Sequence, residues 1–446
     1  MDAKNLKEET KTMKKAKKVL SIMLVIALLA TIATAFTACS SNDTELVFAW
    51  WGGDMRADQT HTVIDMFLEQ NDDVDYIEGL FTSFGDHWPA LAIRAAANDL
   101  PDLVQHDVAH LLSWVEAGHL VDLTPFINDH RIDMRNVPQS AVNTGRVPGH
   151  PGIYAIPTGM NVAAMLYNAT LLEELGLEAP RNMTLDQFIN LSREIYAQSG
   201  VRTNWAHNDP FNQMNVHLRA QGASLFSGGG LGGTVEQYEQ FFNVVIQGIE
   251  EGWHILPEHI AGREGSEQNA FWYPPGDENA NLRTWNSPVW SNMLNGYMND
   301  APDWMEIGMT TYPSTSPQLG NFGRATMFLT ITTHSEQQDE AAAFINFYMN
   351  TPAVHEVILG DRGVVVNSVV ANAIAPYLPV GSQRQAEFVD WVNAPGNSSP
   401  YDPLRPAGHA ELLEYLRLIL EDVTRLNITA REAAERFEAE GARIFG

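Results

Sequence analysis

Lysine is absent from all but the start of this 446-residue chain. Its seven lysines (Lys4, Lys7, Lys11, Lys14, Lys15, Lys17 and Lys18) precede Val19, and every later cation is one of 20 arginines. Arginine keeps its charge above about pH 12, whereas lysine loses it near about 10.4. The pattern suits an exported protein facing an alkaline medium; high salt and a codon usage that favours arginine explain it too. Cysteine is nearly as scarce, with Cys39 alone. The folded part can therefore form no disulfide, no thiolate metal site and no cysteine nucleophile. Past Ala38 there is no long apolar run, no internal repeat and no low-complexity or His-rich tract. A polytopic membrane protein, a coiled coil and a disordered chain are excluded. Cations are few: beyond residue 38, the 20 arginines face 52 Asp and Glu. Such a surface repels polyphosphate, so no nucleic acid is expected as a partner.

What is present is a globular composition, 45% apolar and 18% charged, long enough for two or three domains. Lys14-Lys15-Ala-Lys17-Lys18 leads into an apolar run from Val19 to about Ala30, then small residues up to Cys39. A basic start, an apolar middle and a small-residue cut site make residues 1–38 a secretory signal. Phe36-Thr37-Ala38-Cys39 resembles a bacterial lipobox, with Phe36 where Leu is usual. That resemblance implies lipidation of Cys39 and a short tether over 39–44, hence attachment to a membrane through lipid only, outside the cytoplasm. An uncleaved signal anchor is the alternative, since the stretch could just span a bilayer.

Glu45 to Trp51 reads as an apolar strand turned by Gly52-Gly53-Asp54 into a helix with Val63, Ile64, Phe67 and Leu68 on one face. A helical stretch is expected over Leu91 to Ala97. Pro101 to His106 reads as a strand, and Val108, Leu111, Leu112 and Val115 mark a helix ending at Gly118. The order β-α-α-β-α makes an α/β lobe whose strands end at one edge. Thr184-x-x-Gln187, Thr234-x-x-Gln237, Ser335-x-x-Gln338 and Thr429-x-x-Glu432 match capping boxes ahead of apolar helices, with Gly200 and Gly252 as stops. The chain from Glu336 onward reads as mostly helical. About Arg263 to Pro317 is rich in Trp, Asn, Pro and Gly and reads as loops around a site.

Leu46-Val-Phe-Ala-Trp50-Trp51-Gly52-Gly53-Asp54-x-Arg56, Leu100-Pro-Asp-Leu-Val-Gln-His-Asp107 and Gly118-His-Leu-Val-Asp122-Leu-Thr-Pro125 resemble the family 1 extracellular solute-binding proteins of carbohydrate ABC importers. Tyr154-Ala-Ile-Pro157-x-Gly159-x-Asn161, Tyr167-Asn168, Leu171-Leu-Glu-Glu-Leu-Gly176-Leu177, Glu340-Ala-Ala-Ala-Phe-Ile345-Asn-Phe347, Arg362-Gly363 and Thr429-x-x-Glu432-Ala-Ala continue the pattern through most of residues 45–446. The resemblance implies a two-lobe, periplasmic-binding-protein-like (type II) α/β fold with an interlobe cleft and a helical C-terminal region. Lobe 1 is expected over 45–153 plus 314–359, and lobe 2 over 154–313 plus 360–446. Crossings are expected at Gly152 to Pro157, about Met309 to Pro313, and near Gly360. A ligand touching both lobes only when they close selects the closed state. The implied partners are a small carbohydrate and the transmembrane subunits of an ABC permease; a monomer without cofactor is expected.

A sugar presents hydroxyls and flat C–H faces, so its pocket needs aromatic platforms with fixed carboxylates, amides and arginines. Trp50 and Trp51 are neighbours on one strand and face opposite sides, so at most one is easily core. By resemblance the turn after them lies at the cleft edge, which nominates Trp51, Asp54 and Arg56; Asp54 as a helix cap is the plainer reading. Asp107 ends a strand before a helix, and Asn161 follows the first crossing; both are polar, ligand-facing positions in the family. Trp205, Phe211, Trp285 and Trp290 sit in aromatic stretches broken by polar and turn residues, which suits a cleft. Trp253, Trp272, Trp304 and Trp391 are expected to pack.

Two strings imitate catalytic motifs. His106-Asp107-Val-Ala-His110 resembles a zinc helix, but Asp stands for the general-base Glu and His106 falls on the strand, so no metal is expected. Gly228-Gly-Gly230-Leu-Gly-Gly233 matches a dinucleotide fingerprint without a βαβ unit around it and reads as a flexible loop. The leading function is a non-catalytic sugar receptor. An extracellular glycoside hydrolase would need a carboxylate pair about 5–10 Å apart, and no motif nominates one. A receptor for a cationic solute or a peptide is the third reading.

Overall fold

The computed structural model describes residues 44–256, 259, 282–400 and 404–446. The signal segment, Cys39, nearly all of the tether, and Trp272 lie outside them. Among the described residues no helix is long and apolar enough to cross a membrane, and no group of three or more His, Cys, Asp and Glu could hold a metal ion.

Strand β1 (Glu45–Trp51) lies between β2 (Tyr76–Thr82) and β3 (Leu103–His106), parallel to both. Helices α1 (Asp54–Leu68), α2 (Phe84–Ala96) and α3 (Val108–Glu116) follow the three strands in turn. Each helix carries the chain back, so all three strands end at the same edge. Helix α2 begins at Phe84, earlier than the Leu91 expected, because the Ser83 side chain accepts from the Asp86 N–H and caps the helix there.

Later in the chain come β4 (Ile156–Pro157), β5 (Met160–Asn168), β6 (Asn286–Trp290), β7 (Ile307–Thr311), β8 (Gly323–Ala325) and β9 (Phe328–Ile331). Strand β9 runs antiparallel between β3 and β4 and completes a five-stranded sheet in the order β2-β1-β3-β9-β4. A second sheet is built on β5, flanked antiparallel by β6 and β7, with β8 pairing its first residues. The stretch Trp285 to Trp290, expected as loop, is therefore mostly strand.

The chain passes between the sheets three times. The first passage runs from β4 to β5. The second lies between Phe322, which packs in the second core, and Ala325 and Phe328, which pack in the first; it is later than the Met309 to Pro313 expected, because β7 pairs along its whole length within the second sheet. The third is later than the Gly360 expected: Val364 bridges Met160, but Asn367 still donates to the Met349 carbonyl and the Ser368 N–H to the Asn136 carbonyl of the first lobe, and the second lobe is reached only where Arg384 donates to the Ile307 carbonyl of β7. Gly363 has φ +92°, and a Cβ there would come within 2.3 Å of Thr326 Cγ2, so the segments around Thr326 and Gly363 can lie this close only with glycine.

Two large hydrophobic cores correspond to the two lobes. The first gathers Leu46, Phe48, Leu103, Phe328, Phe344 and Ile345; the second gathers Met165, Phe188, Trp205, Phe241, Trp285 and Phe437. In the second lobe α4 (Leu185–Ser199), α5 (Pro210–Arg219) and α6 (Val235–Glu250) surround the sheet. Then α7 (Gln338–Asn350) packs on the first core, and α8 (Val380–Asn393), α9 (His409–Thr424) and α10 (Ala430–Phe445) end the chain. Capping boxes form at Thr184, Thr234 and Thr429, and Gly200 ends α4 at φ +73°. Ser335 forms none: its hydroxyl donates to Asp102 Oδ1 at 2.6 Å, and α7 starts at Gln338 without a side-chain cap. The Gly228-Gly229 pair turns a small hairpin, Phe226–Ser227 against Gly230–Leu231. Trp253 is buried as expected, whereas Trp304 is half exposed.

Candidate functional site

The first wall grows from the common edge of β1 and β3. Trp51 ends β1, and its ring meets Phe84 at 5.4 Å, His87 at 5.1 Å and Trp88 at 5.7 Å. Trp88 in turn stacks on His110, 3.8 Å apart and 21° from parallel. Phe84 is half exposed and Trp88 partly so, which leaves aromatic surface at this edge. Asp107 follows β3 and caps α3, its Oδ1 accepting from the Ala109 N–H at 2.7 Å. Its second oxygen faces outward, 3.5 Å from a terminal nitrogen of Arg324.

Arg324 joins the walls. It lies on β8 opposite Asn161, on the second passage, and its guanidinium carbon sits 5.2 Å over the Trp290 ring. Trp290 ends β6 and meets Phe322 edge to face at 6.3 Å. Over Phe322, at 4.7 Å, sits Arg219 from the end of α5, which donates to Ser399 Oγ at 2.7 Å and to the Pro400 carbonyl. At the other end of α5, Arg405 lies 5.0 Å over Phe211 and donates to Asn212 Oδ1 at 3.1 Å. Asp209 accepts from Asn212 at 2.8 Å and from the Tyr312 hydroxyl at 2.9 Å.

The electrostatics tie these groups together across the lobes. His409, at the start of α9, is pushed down to about 4 by burial and by the nearby Arg405 charge, and it feels both His110 and Asp107 of the first wall. Burial also lowers His110, His87 to about 4 and His106 to about 3, so the histidines of this edge are neutral in the fold near pH 7. Burial raises the Asp209 carboxyl. The result is a seam of rings, guanidinium groups and two carboxyls, a set of donors, acceptors and flat faces of the kind that hydroxyls and C–H groups call for.

The residues nominated from sequence fall into three groups. Asp107, Trp290 and Asn161 are gathered around Arg324, and Trp51 lies at the same sheet edge as Asp107. Asn161 is committed inside the protein, its Oδ1 accepting from Gln385 at 3.1 Å. Asp54 stands exposed at the first turn of α1, whose cap is Gly53 and not Asp54. Arg56 points away into an ion-pair cluster, its Nε 2.8 Å from Asp361. Trp50, Trp205, Phe211 and Trp285 are core residues. Trp50 packs on Phe48, His61 and Phe81, and both Trp50 and Trp51 are buried because helices cover both faces of the first sheet. Trp285 donates to Thr203 at 2.8 Å within the second core. Trp205 borders a cavity of about 340 Å³ with Arg417 and Arg425, apart from the seam. Phe211 reaches the seam only as the support under Arg405.

Phe84, Trp88, His110, Arg219, Phe322, Arg324, Arg405 and His409 were not nominated. For Arg324 a signal existed: it is a lone cation between Phe322 and the apolar run Ala325 to Ile331. A second cavity, of about 970 Å³, lies beside the third passage among Ala141, Met160, Val364, Ala371, Gln385 and Val389. It has the volume for a ligand, but no aromatic or arginine stands in its lining, so it lacks the flat faces and guanidinium groups that the seam offers.

The bacterial extracellular solute-binding protein family matches residues 62–375. A multiple sugar-binding protein of Streptococcus mutans is 23% identical over 312 residues, 67% of this chain and 70% of that one. Among solved structures, a family 1 extracellular solute-binding protein from Alicyclobacillus acidocaldarius has a TM-score of 0.72 at 19% identity, covering 90% of this chain and 98% of its own. A periplasmic oligogalacturonide binding protein from Yersinia enterocolitica has a TM-score of 0.72 at 16% identity, with 90% and 99% coverage. These structures share the two-lobe solute-binding fold. With the family match spanning most of its length, the chain belongs to the bacterial extracellular solute-binding proteins.

Proposed function

We propose that this protein is a non-catalytic receptor that captures an oligosaccharide between its lobes and delivers it to an ABC import permease, held outside the membrane by lipid on Cys39. The observation that carries the reading is the Asp107–Arg324–Trp290 seam, in which a carboxylate of one sheet edge, a cation of the passage and a ring of the other sheet meet. A ligand bridging such groups gains contacts to both walls only when they approach, and its binding energy then shifts the population toward closure. Sugar-binding relatives such as the Streptococcus mutans protein support the ligand class. The permease and the lipid anchor are part of the proposal, as are the lobe limits 45–153 plus 314–359 and 154–313 plus 360–446 once redrawn to 45–157 plus 325–368 for lobe 1 and 160–322 plus 380–446 for lobe 2, because Ile156–Pro157 pair in the first sheet and Asn367 and Ser368 bond the first lobe. The test is a titration of tryptophan fluorescence with a panel of oligosaccharides, followed by analysis of the recovered sugar. A saturable change with intact sugar supports the receptor; release of new reducing ends identifies a hydrolase instead.

A further inference from the structure

Beyond residue 38 this chain carries 20 arginines against 52 acids, so a partner for each cation is easily found, and nearly every described arginine has one. Arg193 and Arg431 form ion pairs, Arg146 and Arg384 donate to carbonyl oxygens, and Arg181 and Arg202 lie over rings. The exceptions are Arg417 and Arg425 on α9, exposed side chains with no ion pair, hydrogen bond or ring contact among the described residues. Glu421 stands four residues from each, the spacing at which a helical ion pair forms most readily, and neither guanidinium reaches it. Both instead border the cavity of about 340 Å³ that they share with Trp205, Ala206 and His254.

The wall across from α9 is fixed. The Trp205 ring packs on Phe188 at 5.3 Å and on Phe241 at 5.7 Å, and its carbonyl faces His254 Nε2 at 2.8 Å. Ala206 keeps φ +58°, a left-handed conformation that a residue with a side chain rarely adopts, while its N–H donates to Gln213 Oε1 at 2.9 Å. Held strain of this kind gathers at ligand sites. The indole N–H of Trp205 is buried and has no acceptor among the described residues, although a buried donor is ordinarily satisfied. Two uncommitted guanidinium groups and one uncommitted donor thus surround a single cavity.

We infer that this cavity is a second binding site, separate from the saccharide seam, and that it takes a small dicarboxylate whose two ends meet Arg417 and Arg425. Eight residues of helix set the two Cα atoms about 12 Å apart. A single anion midway would face the Glu421 carboxylate, whereas charges at the two ends of a molecule each meet a guanidinium fork and stay clear of it. The cavity lies at the small end of the usual range for ligand sites, about 300–1,000 Å³, which suits a chain of a few carbons.

The test is a calorimetric titration of the purified protein with succinate, glutarate, adipate and suberate, beside the monocarboxylate butyrate and inorganic phosphate. At least one dicarboxylate is expected to bind about ten-fold or more tighter than butyrate and phosphate. Arg417→Gln and Arg425→Gln should each weaken it by about five-fold or more, and Glu421→Gln should tighten it. Arg436→Gln, which removes a nearby cation already paired with Asp422, should leave it unchanged. In an NMR spectrum of the indole N–H groups, the resonance that Trp205→Phe removes should shift as the dicarboxylate is added. Dicarboxylate binding no tighter than that of butyrate or phosphate, an equal loss in Arg436→Gln, weaker binding in Glu421→Gln, or an unmoved Trp205 resonance overturns the inference. None of these results bears on the receptor reading, which is decided by the saccharide titration.

Discussion

Arg56 was nominated from sequence as a ligand residue, and the structure instead commits it to a cluster that ties α1 to the Asp361-Arg362 segment. Asp361 is the hub: one of its oxygens lies 2.8 Å from Arg56 Nε and 2.6 Å from a terminal nitrogen of Arg362. Arg362, whose side chain is 5% exposed, also donates to Thr60 at 2.7 Å and to Gln59 at 3.0 Å. The two arginines hold the Asp361 carboxyl below its ordinary range against the opposing effect of burial. Replacing Asp361 by Ala leaves two guanidinium groups without their shared carboxylate. At 2.8 Å and an effective dielectric of about 20, one such contact is worth roughly 6 kcal/mol before desolvation. Breaking a buried pair costs about 3–5 kcal/mol net. With Arg56 and Asp361 16% and 22% exposed, screening places the expected loss near the lower end, about 3 kcal/mol. Urea unfolding followed by circular dichroism should show it, with Arg193→Ala as the contrast. Arg193 and Glu251 are 42% and 35% exposed, so that loss should stay below about 1 kcal/mol. Arg56→Met should also lose stability while saccharide affinity moves less than about three-fold. A loss below about 1 kcal/mol for Asp361→Ala, or a ten-fold affinity change in Arg56→Met without loss of stability, would refute this account of the cluster.

Trp290→Ala should weaken saccharide binding by at least ten-fold, about 1.4 kcal/mol, in the fluorescence or calorimetric titration, because it removes both the ring face and the support of Arg324. His87 and His106 titrate in the fold at about 4 and about 3, below the unfolded value of 6.5. The unfolded chain therefore binds more protons between those limits: their contribution is complete above about pH 6.5 and is lost as pH falls toward 4, so melting temperature should drop steeply over that window. Trp285→Ala should cost about 3–5 kcal/mol in urea unfolding, since the ring is fully buried and its N–H is bonded to Thr203. Trp304→Ser, at a half-exposed ring, should stay within about 0.5 kcal/mol.

The parts of the fold that could be read from sequence are those that local physics determines. A Thr hydroxyl and a Gln or Glu three residues on satisfy each other's backbone groups regardless of the rest of the chain, so three capping boxes formed where the spacing placed them. Ser335 forms no box because the helix starts only at Gln338: its hydroxyl accepts from the Gln337 N–H while donating to the distant Asp102, an anchor that no local rule contains. Likewise the apolar period of β1 identified a strand, but not that helices cover both its faces and bury both Trp50 and Trp51. The position of the second passage was misjudged for the same reason. A proline such as Pro313 marks a bend, whereas the passage is defined by which core Phe322 and Ala325 enter.

The candidate site was half legible, and the division follows chemistry. Asp107 and Trp290 end strands at turns, where a polar or aromatic residue has no packing reason to be, so each announced itself. The arginines did not, because where every cation past Lys18 is an arginine, a cation in a helix or strand has the plain reading of a solvated or ion-paired side chain. Their role comes from what lies beneath them, and Trp290, Phe322 and Phe211 are brought under Arg324, Arg219 and Arg405 only by the packing of β6, β8 and α5. Aromatic count alone misdirects for a related reason. Trp205 and Trp285 are surrounded by polar residues in sequence, yet those neighbours, Asn204, Asn286 and Thr203, turn inward and bond one another and the indole of Trp285. A broken apolar pattern thus marks either a ligand surface or a buried polar network. Whether the amides find protein partners or are left for a ligand decides between them, and that is a property of the folded chain.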